Sequence, residues 1–259
     1  MSRSRRILTD NLWKKLEPIL PPPKTPFRGR PRTRDREVIE GILWVIRTGA
    51  PWRDLPADFP SWPTCYHRFR TWTLRGVWKE IFEFLCSEDP DNEWHMIDST
   101  TVRAHVHAAG MNSEEATEAL GRSRGGFSTK IHFKTDAFGI PLKILLSPGN
   151  QDDSTMGIQL IEDSGAQYVL GDAGYDTNAI RDFIGESGMT AVIRPSRRRA
   201  IKPRCDWALY KARNAIERFI GQMKQWRRVA TRYDKLAPMF LATATIVASV
   251  ICLKTLTTF

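Results

Sequence analysis

Four polar residues recur at a regular spacing between residues 210 and 224, in the segment YKARNAIERFIGQMK. The segment predicts one uninterrupted helix, and its 3.6-residue turn would align the four along one narrow strip. They are Tyr210, Arg213, Glu217 and Lys224. A carboxylate between two cations suits chemistry on a phosphate ester, because the carboxylate binds metal ions and the cations bind phosphate. A solvated face with an i,i+4 ion pair between Arg213 and Glu217 is the alternative.

Two further acids follow apolar runs that are typical of buried strands. Asp98 comes after HMI, at the expected end of a first strand, and Asp172 comes after YVL on a fourth. Neighbouring strands would bring both carboxylates to one edge of a sheet, where burial is costly unless they are paired or bind metal. With Glu217 they predict an all-oxygen cage for two Mg²⁺ ions. Taken singly, each acid also suits a cap, a turn or an ion pair.

The elements that must position these acids alternate between strand and helix patterns after residue 91. The resulting order, β β β α β α β α, predicts an α/β fold with a mixed five-stranded sheet flanked by helices. A long polar loop separates the first two strands, and such loops are functional or mobile. The predicted strands are 94–104, 127–135, 141–148, 168–172 and 190–195, and the predicted helices are 154–163, 178–187 and 210–224.

Residues 1–90 have a different pattern, with six of the nine tryptophans and apolar residues at helical spacing. Val38, Ile42 and Ile46 lie on one face of the predicted helix in DREVIEGILWVIRTG. Proline-rich connectors break the helices. The sequence therefore predicts two domains: a small all-α domain over 1–90, whose basic residues are candidates for contacts with nucleic-acid phosphates, and an α/β domain over 91–259.

The net charge of +10 is distributed unevenly along the 259 residues. Residues 1–90 carry +6, residues 91–192 carry −8 and residues 193–259 carry +12. Basic flanks around an acidic centre are expected of a protein that holds nucleic acid with its flanks and metal ions in its centre. Chance segregation of charge is the alternative.

The cysteines and the apolar segments indicate in which cellular compartment the protein would work. Cys65, Cys86, Cys205 and Cys252 form no CxxC pair, which argues against a disulfide framework or a zinc ribbon and favours a reducing cytoplasm. The first residues contain no apolar run of a signal peptide. Residues 236–253 lack charge, but Pro238 and several hydroxyl residues favour a helix packed in the core over a membrane span.

The motifs together identify a family. The chain resembles bacterial insertion-sequence transposases with a DDE triad, of the insertion sequence five type, because Tyr-x2-Arg-x3-Glu-x6-Lys matches at residues 210–224 without a gap. MIDSTTVRAH, VLGDAGYD, GRSRGGFSTKIH and the N-terminal GRPRTRDREVIEGILWVIRTGAPWRDLP are also similar to patterns of this family. The resemblance covers nearly the whole chain. It implies a ribonuclease H-like catalytic domain, movement of DNA, and a homodimer that brings two element ends together.

The resemblance also implies roles for individual residues. Asp98, Asp172 and Glu217 would be the catalytic acids and would bind two Mg²⁺ or Mn²⁺ ions. Arg213 and Lys224 would contact phosphates of double-stranded DNA, both terminal inverted repeats and target, and Tyr210 would orient a terminal nucleotide. No membrane is expected as a partner, and the chain would work in the bacterial cytoplasm at the nucleoid.

Two arginine-rich stretches are further candidates for DNA contacts. RGRPR, with Arg28, Arg30 and Arg32, fits an extended arm that enters an A·T-rich minor groove, and it fits a solvated linker equally well. The basic run that leads to the Glu217 helix fits phosphate contacts or a solvated charge run. Its central arginines are Arg197, Arg198 and Arg199.

Two other functions are compatible with parts of this pattern. A ribonuclease H-like nuclease would share the acids and the metals but would stop at hydrolysis. A DNA-binding regulator would use residues 1–90 and the positive charge alone, and the loss of an acid would be its signature. All three acids are present.

Overall fold

The computed structural model describes residues 6–22, 33–86, 93–108, 118–123 and 125–255. Its α-helices are α1 (Asp10–Leu16), α2 (Asp35–Thr48), α3 (Trp62–Leu74), α4 (Val77–Cys86), α5 (Gly157–Ile161), α6 (Asn178–Glu186), α7 (Trp207–Tyr210), α8 (Asn214–Lys224), α9 (Arg227–Ala230) and α10 (Ala237–Thr255). Its strands are β1 (Trp94–Ala104), β2 (Gly121–Ser123), β3 (Gly126–Thr135), β4 (Pro141–Pro148), β5 (Tyr168–Gly171), β6 (Thr190–Ile193) and β7 (Thr231–Arg232).

The strands form one mixed sheet around β1. β1 pairs antiparallel with β3 and parallel with β5, β3 pairs antiparallel with β4, and β5 pairs parallel with β6. The predicted mixed sheet with flanking helices is confirmed. Among the described residues the sheet has seven strands where five were expected, because short β2 pairs with β3 and two-residue β7 pairs with β1. Strands of two or three residues are too short to give a periodic signal.

The predicted tight turn joins β3 to β4. The Asp136 carboxylate accepts hydrogen bonds from the backbone N–H groups of Phe138 and Ile140 at 2.9 and 2.7 Å. Gly139 has a φ of +85°, which residues with a side chain rarely adopt. The turn fixes the register of β3 and β4, and β3 in turn holds one edge of β1.

The N-terminal helices pack around α2, whose apolar face is the predicted one. Val38, Ile42 and Ile46 are fully buried. Glu40 is also buried, and its carboxylate accepts from the backbone N–H groups of Ile7 and Leu8 at 2.9 and 2.8 Å. These two bonds tie the start of the described chain to α2. Residues 87–92 lie outside the described residues, so the domain boundary near residue 90 stays a prediction.

The last helix, α10, is long and apolar enough to cross a membrane, but 78% of its most apolar window is buried within the protein. It packs against α4 and β4. One hydrophobic cluster joins the N-terminal helices to the sheet through α10. Its members include Ile42, Phe82, Met96, Phe219 and Phe240. The expectation that this segment packs in the core is confirmed.

The segment 210–224 is not the uninterrupted helix that its periodicity predicts. A 3₁₀ turn, Lys211–Arg213, separates α7 from α8. In 3₁₀ geometry residues i and i+3 eclipse each other, so the turn places Arg213 directly against Tyr210. The guanidinium lies 5.4 Å from the Tyr210 ring centroid, and its Nη1 donates to the Tyr210 hydroxyl at 3.1 Å.

Candidate active site

Asp98 and Asp172 occupy equivalent positions on neighbouring parallel strands. β1 and β5 pair through Met96 and Leu170, and each acid lies two residues beyond that pair. The prediction that adjacent strands bring the two acids to one region is confirmed by this register. β1 has the predicted bounds, but Asp98 lies inside it and not at its end, because β1 continues to Ala104. Pairing with β3 on the other edge supports β1 after the parallel ladder stops.

Asp98 is largely buried and lies among charges of both signs. Its Oδ2 accepts from Arg213 Nη2 at 2.8 Å, and its Oδ1 accepts from the Ser99 backbone N–H at 2.8 Å. Burial raises the pKa of Asp98 to about 6, against the lowering effect of Arg213 and Ser99. The negative charges of Asp172 and Glu217 raise it further, so both lie within electrostatic reach of Asp98.

Asp172 begins the 3₁₀ turn that follows β5. Its Oδ1 accepts from the Gly174 backbone N–H at 2.9 Å, which fixes the carboxylate at the N-terminus of this turn. Asp172 therefore starts this turn, as the alternative interpretation of the sequence proposed, and does so through one of its two carboxylate oxygens. The same bond orients the carboxylate beside Asp98.

Glu217 lies in the first turn of α8, where a negative charge is favoured by the helix dipole. Its side chain is 57% exposed, and its Oε1 lies 3.6 Å from Arg213 Nη1. The buried face of α8 consists of Ala215, Ile216, Phe219, Ile220 and Met223. This packing turns Glu217 away from the core and towards the Arg213 guanidinium.

Arg213 joins the acids. Only 7% of the residue is exposed, and its guanidinium contacts Asp98, Tyr210 and Glu217. Burial alone would lower the pKa of Arg213, but Asp98 and Tyr210 raise it above its usual value. The group is a fixed positive charge beside the acids.

The three acids provide oxygen donors that suit Mg²⁺ or Mn²⁺. Among the described residues, no three His, Cys, Asp or Glu side chains are grouped closely enough to hold a metal ion as they stand. The cation that lies against Asp98 and near Glu217 is the Arg213 guanidinium. Divalent ions suit these oxygen donors and would offset the repulsion of Asp98 by Asp172 and Glu217. The Arg213 guanidinium already offsets part of this negative charge.

Comparison with known proteins decides the family. A family model described as "Transposase DDE domain" matches residues 95–252, more than half of the chain. The chain belongs to the DDE transposase family. A second model, described as a putative transposase of the IS4/5 family, matches residues 8–82 of the transposase. Members of the DDE family cleave DNA and transfer strands.

Relatives of known sequence agree with this assignment. The transposase is 35% identical over 129 residues to a putative transposase for insertion sequence element IS6501 of Brucella ovis, covering 49% of this chain and 99% of the relative. It is 39% identical over 112 residues to an uncharacterized 16.2 kDa protein of insertion element IS402 of Burkholderia cepacia, covering 39% of this chain and 76% of the relative.

A solved structure confirms the fold. The piggyBac transposase in a synaptic complex with hairpin DNA is similar with a TM-score of 0.50, covering 95% of this chain and 70% of that one. The two chains are 9% identical, so the likeness concerns the fold alone. The ribonuclease H-like fold implied by the sequence resemblance is thereby confirmed.

The other predicted DNA contacts of the transposase have different surroundings. Lys224, at the end of α8, is exposed, as are Arg197 and Arg198. Arg199 is half-buried, and its guanidinium donates to Asp176 Oδ2 and to Asn178 Oδ1, both at 2.7 Å. Tyr210 is half-buried. Three further predicted contacts lie outside the described residues: Arg28, Arg30 and Arg32.

Sequence reasoning missed a fourth acid near the first two. Asp153 Oδ1 accepts from the Ser99 hydroxyl at 2.7 Å and from Lys130 Nζ at 2.9 Å. Ser99 is the residue after Asp98. The signal was weak: Asp153 is one of two adjacent acids in the polar segment GNQDDST, and nothing in the sequence distinguishes it from Asp152.

Proposed function

We propose that Asp98, Asp172 and Glu217 are the catalytic carboxylates of this transposase and that they bind two Mg²⁺ or Mn²⁺ ions. The main support is the equivalent placement of Asp98 and Asp172 on β1 and β5. Glu217 is connected to them through Arg213, whose guanidinium contacts both Asp98 and Glu217. When bound, such ions would activate the attacking oxygen and neutralise the leaving oxygen of a phosphodiester.

The carboxylates of the chain would have distinct tasks in this site. Asp98 and Asp172, which come from adjacent strands, would together provide the oxygen ligands that the two ions share. Glu217, which is more exposed and comes from a helix, would hold one flanking ion. Anchoring the donors on strands and a packed helix limits their movement, as a site for transition-state stabilisation requires.

The cationic and aromatic side chains would bind the substrate. Arg213 offers a planar fork of donors just before α8, and Lys224 offers a point charge at the end of α8. Tyr210, whose ring already lies against the Arg213 guanidinium, would orient the terminal nucleotide. These groups would offset phosphate charge at the edge of an acidic site.

The reaction would proceed in two displacements at phosphorus. Water attacks the phosphodiester at the element end, the P–O3′ bond breaks, and the 3′ oxygen leaves as a hydroxyl after taking up a proton. That 3′-hydroxyl then attacks a phosphodiester of the target, forms a new P–O bond and releases the target's own 3′-hydroxyl. Neither step needs a covalent bond to the protein.

The substrate would be double-stranded DNA in two roles, the terminal inverted repeats and the target. The net charge of +10 and the exposed arginines near α7 support a polyanionic partner. A homodimer would bring two ends together in a synaptic complex. The chain would act in the cytoplasm at the bacterial nucleoid, and the arm with Arg28, Arg30 and Arg32 would enter a minor groove.

Incubation with labelled DNA carrying the element's own ends tests the proposal. In Mg²⁺, wild type should produce cut ends and, with target DNA, joined products. Asp98→Asn, Asp172→Asn and Glu217→Gln should each lose both products while binding the ends nearly as well as wild type. Wild-type cutting by one of these variants would remove that residue from the catalytic set, and hydrolysis without joining would identify a nuclease.

A further inference from the structure

Ser99 connects the proposed catalytic Asp98 to a second acid. The Ser99 backbone N–H donates to Asp98 Oδ1 at 2.8 Å, and the Ser99 hydroxyl donates to Asp153 Oδ1 at 2.7 Å. One residue therefore holds the Asp98 carboxylate through its backbone and is itself held through its side chain.

Asp153 is in turn fixed by Lys130. Lys130 Nζ lies 2.9 Å from Asp153 Oδ1 and also donates to the Gln151 carbonyl at 2.7 Å. Lys130 belongs to β3, opposite Thr101 of β1, so it is anchored on the strand next to the one that carries Asp98. The side chains are only 16% and 24% exposed for Lys130 and Asp153, which limits screening of this pair by water.

The other oxygen of Asp153 faces the Asp172 side of the site. A Cβ placed on Gly174 would lie 3.3 Å from Asp153 Oδ2 and 3.0 Å from Asp172 Oδ1, so both carboxylates border the same glycine. The fully buried Tyr175 is next to this glycine. Besides burial, the negative charges of Asp153, Asp98 and Asp172 raise the pKa of its hydroxyl.

Asp172 and Glu217 repel the Asp98 carboxylate, and Asp153 contacts the neighbouring residue, Ser99. Asp98 also contacts Arg213, a cation that would pull it away from any other partner. A carboxylate under opposing forces holds one orientation only if its own support is rigid, and the Ser99 N–H supplies that support at Oδ1. The supporting partners of a metal ligand typically contribute tenfold or more to metal affinity.

We propose that Asp153 is a positioning residue. Held by its ion pair with Lys130 and bonded to the Ser99 hydroxyl, it fixes the orientation in which Asp98 would bind divalent metal ions. This inference rests on the proposed metal-binding role of Asp98. Asp153 acts through Ser99 and is not itself a ligand. A structural role for the Lys130–Asp153 pair alone would stabilise the fold without altering metal binding.

The test uses the 259-residue chain bound to DNA that carries a cleaved element end. Mn²⁺ binding is measured by electron paramagnetic resonance for wild type and for Asp153→Asn, Ser99→Ala and the double variant. Asp152→Asn is the matched control, since this neighbouring acid is exposed and makes no capping bond. Thermal melting of each variant is recorded in parallel.

We expect Asp153→Asn and Ser99→Ala each to weaken Mn²⁺ binding by about tenfold. The double variant should lose no more Mn²⁺ affinity than the single variant with the larger loss, because both residues act through one series of contacts. Asp152→Asn should match wild type. Should Asp153→Asn fail to fold, Ser99→Ala compared with wild type still decides the question.

Three results would overturn the proposal. The first is unchanged Mn²⁺ binding in Ser99→Ala. The second is a loss of Mn²⁺ affinity in the double variant that equals the sum of the two single losses. Either result would mean that Asp153 acts without Ser99. The third is a lower melting temperature of Asp153→Asn with Mn²⁺ affinity intact, as a structural role predicts. Failure of wild type itself to bind Mn²⁺ would instead refute the metal site of the proposed function, and this inference with it.

Discussion

The Arg213 guanidinium donates to Asp98 across 115 positions of sequence, at 2.8 Å. It also lies 3.6 Å from Glu217. The positive charge nearest the acids therefore comes from the same motif that supplies Glu217. In the proposed site, divalent ions that approach Asp98 would meet a cation already bound there, and the two would compete for the same carboxylate.

Removing the Arg213 charge should affect metal and DNA in opposite directions. In Arg213→Gln, Mn²⁺ binding to the chain without DNA should tighten by about tenfold, because a like charge near the ions is lost. Binding and cleavage of end DNA should weaken, because a phosphate contact is lost. Arg218→Gln, which changes an exposed arginine of α8, the helix that follows Arg213, is the control for charge. Unchanged Mn²⁺ affinity in Arg213→Gln would refute the competition.

Lys224 provides a test of the phosphate contacts. Lys224→Ala should weaken binding of end DNA and lower the slope of log affinity against log salt by about 1, because one fewer counterion is released. The measurement is fluorescence anisotropy over a series of salt concentrations. Lys79→Ala removes an equal charge from α4, where the lysine is exposed and pairs with Glu83. A slope equal to that of wild type for Lys224→Ala would exclude Lys224 from the interface.

Asp176 should be a main source of stability next to the site. Its buried carboxylate accepts from the Ser196 backbone N–H and from Arg181 and Arg199. Burial raises the pKa of Asp176, but these hydrogen bonds outweigh it and leave the pKa below its usual value. Asp176→Asn should therefore lower the free energy of unfolding by about 3 kcal/mol at pH 7, because two partly buried arginines lose their carboxylate partner.

The pH dependence gives the same test a second measure. Because the folded state lowers the pKa of Asp176, its contribution is complete above the unfolded value near 3.8 and is lost as pH falls through the folded pKa. Urea unfolding should show the difference between wild type and Asp176→Asn shrinking only below about pH 4. A difference that stays constant into strong acid would mean that the carboxylate charge does not stabilise the fold.

Arg232 should anchor the start of α10. Its side chain is fully buried and donates to the carbonyls of Glu118, Asp234 and Lys235 and to the Thr129 hydroxyl. Arg232→Met keeps the volume but leaves these acceptors unsatisfied, so unfolding should be easier by about 3 kcal/mol. Lys235→Met, a change at an exposed position three residues on, should cost under about 0.5 kcal/mol. Equal costs for the two changes would show that the buried hydrogen bonds contribute nothing.

The sequence predicted those features that depend on local periodicity. β1 and β4 have the predicted bounds, and the α2 stripe faces the core, because apolar spacing determines which face is buried. Asp98 lies inside β1 and not at its end. β3 pairs with β1 from Met96 to Arg103 and supports the strand on both sides of Asp98, a contact that local pattern does not encode.

The rest of the site depends on contacts that are distant in sequence. Arg213 was predicted on a polar strip that lines the site, but its burial could not be predicted, because it depends on the distant ion pair with Asp98 that offsets the cost of desolvation. The 3₁₀ turn that moves it inward has no sequence signal of its own. Asp153 reaches Ser99 only because β4 returns the chain along β3, which in turn pairs with β1, so its neighbours could not be predicted from GNQDDST.

The central claim is that Asp98, Asp172 and Glu217 bind one pair of divalent ions. The most direct measurement is anomalous X-ray scattering from Mn²⁺ in crystals of the transposase bound to a cleaved DNA end. We predict two peaks about 3.5–4 Å apart, with Asp98 and Asp172 oxygens at the shared position and Glu217 at one ion. Manganese bound away from these three carboxylates, or a pair of ions that Glu217 does not touch, would contradict the account.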